Sequence, residues 1–161
     1  MPRIGVTNVK STNSVSKKTT STASKPKKFD HTNFNQALKH SAESGKPMVI
    51  KVGASWCGPC RAMNNSTFKD PKVQARLEKD ATFVNVEVDR RGDTRTQREA
   101  AQKIAKALGV RAYPTVIMAN VKQSGDKLTP SLVSKGNMMN ATSFQRFLDT
   151  GLTKAEQMKK N

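Results

Sequence analysis

The chain has 161 residues, with 29 Lys plus Arg against 12 Asp plus Glu for a formal net charge of +17, and 35% of its residues are apolar. That is room for one domain, with too little apolar material to hold every residue around a core. No stretch approaches the roughly 18 apolar residues of a membrane span or the apolar run of a secretory signal, so no membrane contact is expected and a cytoplasmic location is. Two cysteines, Cys57 and Cys60, exclude a multi-disulfide scaffold and form one local unit.

Residues 1–28 contain no acid but carry Arg3, Lys10, Lys17, Lys18, Lys25, Lys27 and Lys28 among Ser, Thr and Asn. Such a segment buries too little apolar surface to offset its ordering entropy, and a disordered basic arm is expected there. Three readings of the arm stand side by side: a solvated tail, a weak binder of nucleic acid or another polyanion, and an organellar transit peptide. The other 22 basic residues and all 12 acids fall in 29–161, which keeps +10.

Past the arm the hydrophobic period alternates. His31, Thr32 and Asn33 can cap a helix with Phe34, Ala37, Leu38 and Ala42 on one face, ended by Gly45 and Pro47; Met48 to Gly53 then reads as a strand. Cys57 to Phe68 looks helical, Pro71 restarts a short helix through Val73 and Leu77, and the β-rich run Thr82 to Val88 is a second strand. Thr94 to Leu108 is the clearest helix, with Ala101, Ile104, Ala105 and Leu108 on one face, a Glu99/Lys103 pair and Gly109 as its stop. Thr115 to Ala119 is a strand, a turn at Ser124-Gly125-Asp126 leads to an antiparallel partner near Leu128 to Val133, and Asn140 caps a helix bearing Phe144, Phe147 and Leu148, closed by Gly151.

The chemistry is concentrated in Trp56-Cys57-Gly58-Pro59-Cys60, at a strand-to-helix junction. The first sulfur falls at a helix N-terminus, where unpaired N–H groups and the macrodipole stabilise a thiolate. Cys60, one turn on, can attack a mixed disulfide formed at Cys57, and Pro59 occupies an early helical position where no N–H is needed. Two bland readings compete. A zinc site would need His31 and His40, whose nine-residue spacing and place before the cysteines fit poorly, and a structural disulfide across two residues gains little from cross-linking. His40 falls off its apolar stripe and reads as solvated, while the methionines, Met138-Met139 included, read as packing or loop residues.

With this motif, Tyr113-Pro114-Thr115 after the third helix, and the strand, Gly136 and terminal helix that follow, the chain resembles the thioredoxin superfamily over Phe29 to about Leu152. The resemblance implies an α/β thioredoxin fold, a central mixed β-sheet flanked by α-helices, over 29–152, with 153–161 left as a short polar tail. It implies an exposed nucleophile Cys57, a buried resolving Cys60, and Pro114 as a cis-proline packed against them. Trp56, Gly58, Pro59, Tyr113 and Thr115 would form the substrate-facing surface, with Tyr113 offering its backbone to an extended segment. Three departures stand out. The Arg91 to Ala107 region is longer than in small cytosolic thioredoxins. Tyr113 resembles disulfide isomerase domains, whereas Gly58-Pro59 matches reducing thioredoxins. Finally, the family's buried acid is replaced by Lys51 and the lysine opposite it by Asn85. Lys51 and Glu87 are expected to form a charge-reversed pair under the cysteines, with Glu87 accepting the Cys60 proton; the alternative has Lys51 reaching solvent past Gly53.

The expectation is a monomeric thiol-disulfide oxidoreductase reducing protein disulfides through Cys57 and Cys60, recharged by an electron-donor reductase, with no metal or organic cofactor. Two alternatives stay open: a disulfide oxidase or isomerase in an oxidising compartment, and a binding module tethered by its arm to nucleic acid or an assembly.

Overall fold

The computed structural model describes residues 28–160; the arm, apart from Lys28, lies outside the described residues. The central sheet has five strands in the order β1-β3-β2-β4-β5. These are β1 (Phe29–Asp30), β2 (Met48–Gly53), β3 (Thr82–Glu87), β4 (Thr115–Ser124) and β5 (Lys127–Gly136). The helices are α1 (Phe34–Ser44), α2 (Gly58–Asn65), α3 (Pro71–Asp80), α4 (Arg95–Ala107) and α5 (Ala141–Lys160). β1 and β2 flank β3 in parallel, whereas β4 runs antiparallel to both β2 and β5, so the sheet is mixed.

All six residues of β2 are buried because helices cover both faces of the central strand. Met48, Ile50 and Val52 face a core completed by Phe34, Ala37 and Leu38 of α1 and Ala101 and Ala105 of α4. Val49 faces the opposite core, with Met63 of α2, Val73 and Leu77 of α3, and Phe144, Leu148 and Ala155 of α5. The period-2 pattern of β2 therefore sorts its side chains into two cores.

Several expected boundaries hold. Gly45 and Gly109, both at positive φ, follow α1 and α4, and Asn140 caps α5 by accepting the Ser143 N–H at 2.8 Å. Others move. The helix from Cys57 stops at Asn65 and is followed by a 3-10 turn at Thr67–Lys69, where the Thr67 hydroxyl donates to the Met139 carbonyl at 2.6 Å. Glu99 pairs with Arg95 at 2.9 Å rather than with Lys103. The β4-β5 hairpin is ten residues on each side, longer than its apolar run.

The largest correction is at the C-terminus. Gly151 does not end the last helix, which continues to Lys160, and the segment read as a polar tail is helical there, with Ala155 buried. A Cβ at Gly151 would stand 2.7 Å from Met118 Sδ and Cε, so the glycine is where α5 presses onto β4. The Asn120 amide then donates to the Ala155 carbonyl at 3.1 Å. Close approach explains this glycine within a helix.

The β1 strand and its surroundings were not foreseen. Asp30 caps the 3-10 turn His31–Asn33 and meets Arg90 at 2.5 Å, while Arg90 and the buried His31 both contact Asp93, at 3.0 and 2.9 Å. Asp93 thus ties the start of the domain to the turn before α4. His40 is not simply solvated either: its ring lies against Phe29, with Nδ1 3.2 Å from the Thr82 hydroxyl.

Burial pulls the Asp30 carboxyl upward, but hydrogen bonds from Thr32 and Arg90 outweigh it and hold its pKa at about 2. A depressed folded-state value contributes stability above the ordinary pKa of 3.8, lost as pH falls through about 2. Asp30→Asn, which retains a capping side chain, is expected to lower the urea midpoint at pH 7, with the deficit shrinking as pH falls from about 4 toward 2. Equal midpoints at pH 7 would contradict this role.

Candidate active site

β2 ends at Gly53 and α2 begins at Gly58, and the intervening loop is pinned on several sides. Val88 N–H donates to the Gly53 carbonyl at 3.0 Å and Cys57 N–H to the Ala54 carbonyl at 3.2 Å. Asp89 accepts from the Ser55 N–H at 2.7 Å and from its hydroxyl at 3.1 Å. The Ser55 carbonyl takes the Arg61 guanidinium at 3.0 Å. The loop is held before the first cysteine is reached.

Cys57 is the N-cap of α2, with extended φ/ψ of −83° and 111°. Its Sγ accepts the Cys60 N–H at 3.1 Å, taking one of the donors a helix start leaves free. Pro59 lies in the first turn, where its missing N–H costs nothing. The sulfurs of Cys57 and Cys60 are bonded, with Cα atoms 5.3 Å apart. The expected contrast between an exposed first and a buried second cysteine is absent in this disulfide form: the residues are 3% and 2% exposed. Both join the core cluster against which Tyr113 packs.

Around the disulfide, Gly58 and Pro59 are exposed. Trp56 is 68% exposed and meets the Tyr113 ring edge-on at 5.9 Å, so it is no core residue. The Tyr113-Pro114 bond is cis. Thr115 lies opposite Val52 in the sheet, and its hydroxyl donates to the Ala112 carbonyl at 2.7 Å, folding this loop back beside the end of β2. The structure thus brings Trp56, Cys57, Cys60, Tyr113, Pro114 and Thr115 to one end of the sheet. The histidines of the zinc alternative are engaged elsewhere, His31 on Asp93 and His40 on Thr82.

Lys51 departs from both of its expected placements. It is 1% exposed, so it does not reach solvent past Gly53, and it makes no ion pair with Glu87; its Nζ instead donates to Asn64 Oδ1 at 2.9 Å. Glu87 stands opposite Gly53, two register positions beyond the Lys51–Asn85 pair and on the same face of the sheet. Desolvation lowers the Lys51 pKa, and the charge of Glu87 opposes that pull. A Cβ at Gly53 would lie 3.0 Å from Cys60 Sγ and 3.3 Å from Lys51 Nζ. The lysine therefore ends directly beneath the second cysteine.

Three residues of this arrangement escaped the sequence reading. Asn64 sits four positions after Cys60 and so shares its helix face. Asp89 follows the last apolar residue of the Thr82 to Val88 run, where a carboxylate can reach the neighbouring loop. Arg61 carried no signal beyond its place after Cys60.

A parallel-to-antiparallel sheet covered by helices on both faces, with a Cys-x-x-Cys disulfide at a helix start beside a cis-proline, defines a thioredoxin-type oxidoreductase site. The thioredoxin-like family profile matches residues 30–120. Over 100 residues the chain is 35% identical to thioredoxin H4 of Arabidopsis thaliana, covering 61% of this chain and 73% of that one. It is 30% identical over 115 residues to the thiol:disulfide interchange protein DsbD of Pectobacterium atrosepticum, covering 71% of this chain but only 18% of that protein. Among solved structures, the DsbH oxidoreductase superposes with a TM-score of 0.64 at 15% identity, over 74% of this chain and 81% of that one. A thioredoxin from Thermus thermophilus gives 0.60 at 19% identity, over 81% and 89%. These two likenesses establish the fold. The chain belongs to the thioredoxin-like family and is a thiol-disulfide oxidoreductase. Among the described residues, no helix is long and apolar enough to cross a membrane.

Gly53→Ala tests the tightness of this packing. The added methyl meets the sulfur of Cys60 rather than open space, and overpacking of this kind costs about 1–3 kcal/mol. Urea unfolding of the oxidised protein is expected to show that loss, and an unchanged midpoint would mean that Cys60 yields freely.

Proposed function

We propose that the chain reduces protein disulfides, with Cys57 as nucleophile and Cys60 as resolving thiol. The observation that carries this reading is the position of Cys57 Sγ, at the N-cap of α2 and accepting the Cys60 N–H. A thiolate at that atom is stabilised by the helix N-terminus. Its sulfur attacks a substrate disulfide and expels one substrate thiolate, leaving Cys57 bonded to the other substrate sulfur. Cys60 then attacks Cys57 Sγ, the Cys57–substrate bond breaks, and the second substrate thiolate departs. The disulfide of this structure is the end state of that cycle, and an external dithiol or reductase must restore it.

In this reading the exposed Trp56 ring, its edge contact with Tyr113 and the exposed Gly58-Pro59 turn form the surface on which substrate lies. The backbone of Tyr113, before cis-Pro114, is where an extended segment would pair. The Gly58-Pro59 dipeptide and the similarity to thioredoxin H4 support reduction over oxidation.

With dithiothreitol as donor, the full chain is expected to reduce insulin disulfides. Cys57→Ser should abolish turnover, and Cys60→Ser should stall with substrate covalently held on Cys57. Parent activity no greater than that of Cys57→Ser would overturn the proposal.

A further inference from the structure

Lys51 is among the largest fully buried side chains of the described residues, and the exchange chemistry above makes no use of it. Its surroundings are unusual for a lysine. From α2 it meets Asn64 Oδ1 at 2.9 Å and approaches Cys60. From β3 its register partner is Asn85, and the charge of Glu87 reaches it without an ion pair. Its partner on β4 is Val116, which has no polar side chain. Cys60 Sγ and Lys51 Nζ lie within 3.3 Å of the same point, the Cβ position that Gly53 leaves empty. Direct contact or one bridging water spans such a separation. A lysine buried without a carboxylate partner tends to give up its proton, and a neutral amine offers a lone pair to an adjacent thiol while still donating an N–H to Asn64.

We propose that in the reduced protein Lys51 and Cys60 share one proton, the lysine amine taking it from the resolving thiol to give an ammonium–thiolate pair beneath the site. This inference rests on the thiol-exchange reading above and adds the group that prepares its second step. Cys60 S–H loses its proton to Lys51 Nζ, and the sulfur electron pair forms the Cys60–Cys57 bond. The Cys57–substrate bond breaks with its electrons on the departing substrate sulfur, which takes a proton from water. The Lys51 ammonium then faces a neutral disulfide, has lost its counter-charge, and releases the proton. Its two amide neighbours connect it to open space. Asn64 and Asn85 both line a groove of about 810 Å³, and Asn85 Oδ1 has no hydrogen-bond partner among the described residues. Because the ion pair exists only when Cys60 is reduced, Lys51 stabilises the dithiol and makes the pair less reducing than it would be without the amine.

The test equilibrates the full chain and its Lys51→Met variant with glutathione redox buffers at pH 7 and counts free thiols by mass. Lys51→Met is expected to favour the disulfide at least tenfold more than the parent does, equivalent to about 30 mV. Equal equilibrium constants in a parent that turns over insulin would overturn this inference alone; loss of turnover in the parent would instead remove the exchange reading. A second measurement leaves Lys51 in place, should Lys51→Met fail to fold. In Cys57→Ser, iodoacetamide labelling of Cys60 against pH is expected to show an apparent pKa below the ordinary thiol value of about 8.5. Burial alone would raise it, so a value at or above 8.5 would overturn the proposal.

Discussion

The missing side chain of Gly53 is the constraint on which the site depends. β2 runs through the centre of the sheet with all six residues buried, and its last residue passes so close beneath α2 that a methyl would meet Cys60 Sγ. That approach lets the helix begin directly over the strand end and brings the Lys51 amine beneath the second sulfur. A larger residue would push α2 outward and separate the thiol from the amine. The backbone of one central strand thus sets the depth of the disulfide and its electrostatic surroundings together.

The other features of the site hold that approach in place. Asp89, just past β3, takes both donors of Ser55, and the Gly53 carbonyl is satisfied by Val88, so the strand-to-helix loop is bound to the neighbouring strand. On the other side, Thr115 pairs with Val52 and carries the cis Tyr113-Pro114 bond beside the cysteines. The buried end of the sheet is rigid through hydrogen bonds, while Trp56, Gly58 and Pro59 stay exposed for contact. Rigidity beneath and access above suit a reaction in which one sulfur must be reached by a large partner and the other only by its neighbour.

Much of this was legible in the sequence, for identifiable reasons. Met48 to Gly53 reads as a strand from its apolar run, α4 from its single apolar face, and the motif from the spacing that puts two thiols one helical turn apart. What escaped depended on tertiary contact. Gly151 looks like a helix stop because glycine ends helices more often than it spaces them from a sheet, and only the proximity of Met118 reveals its role. β1 is two residues long, too short for any pattern, and exists because β3 has a free edge. The alternation of β2 put Lys51 on the cysteine side, but its partner was misassigned. Glu87 lies two register positions along on the same face, whereas Asn64 comes from the helix above, and register says nothing about helix side chains.

The account stands on the two sulfurs having different tasks. Partial reduction of the full chain with glutathione, quenched by acid and mapped by mass spectrometry, reads that difference directly. The account predicts mixed disulfide on Cys57 with Cys60 free, because the cap position at the start of α2 makes Cys57 the sulfur that exchanges with an outside partner. Glutathione found on Cys60, or shared equally between the two, would contradict it.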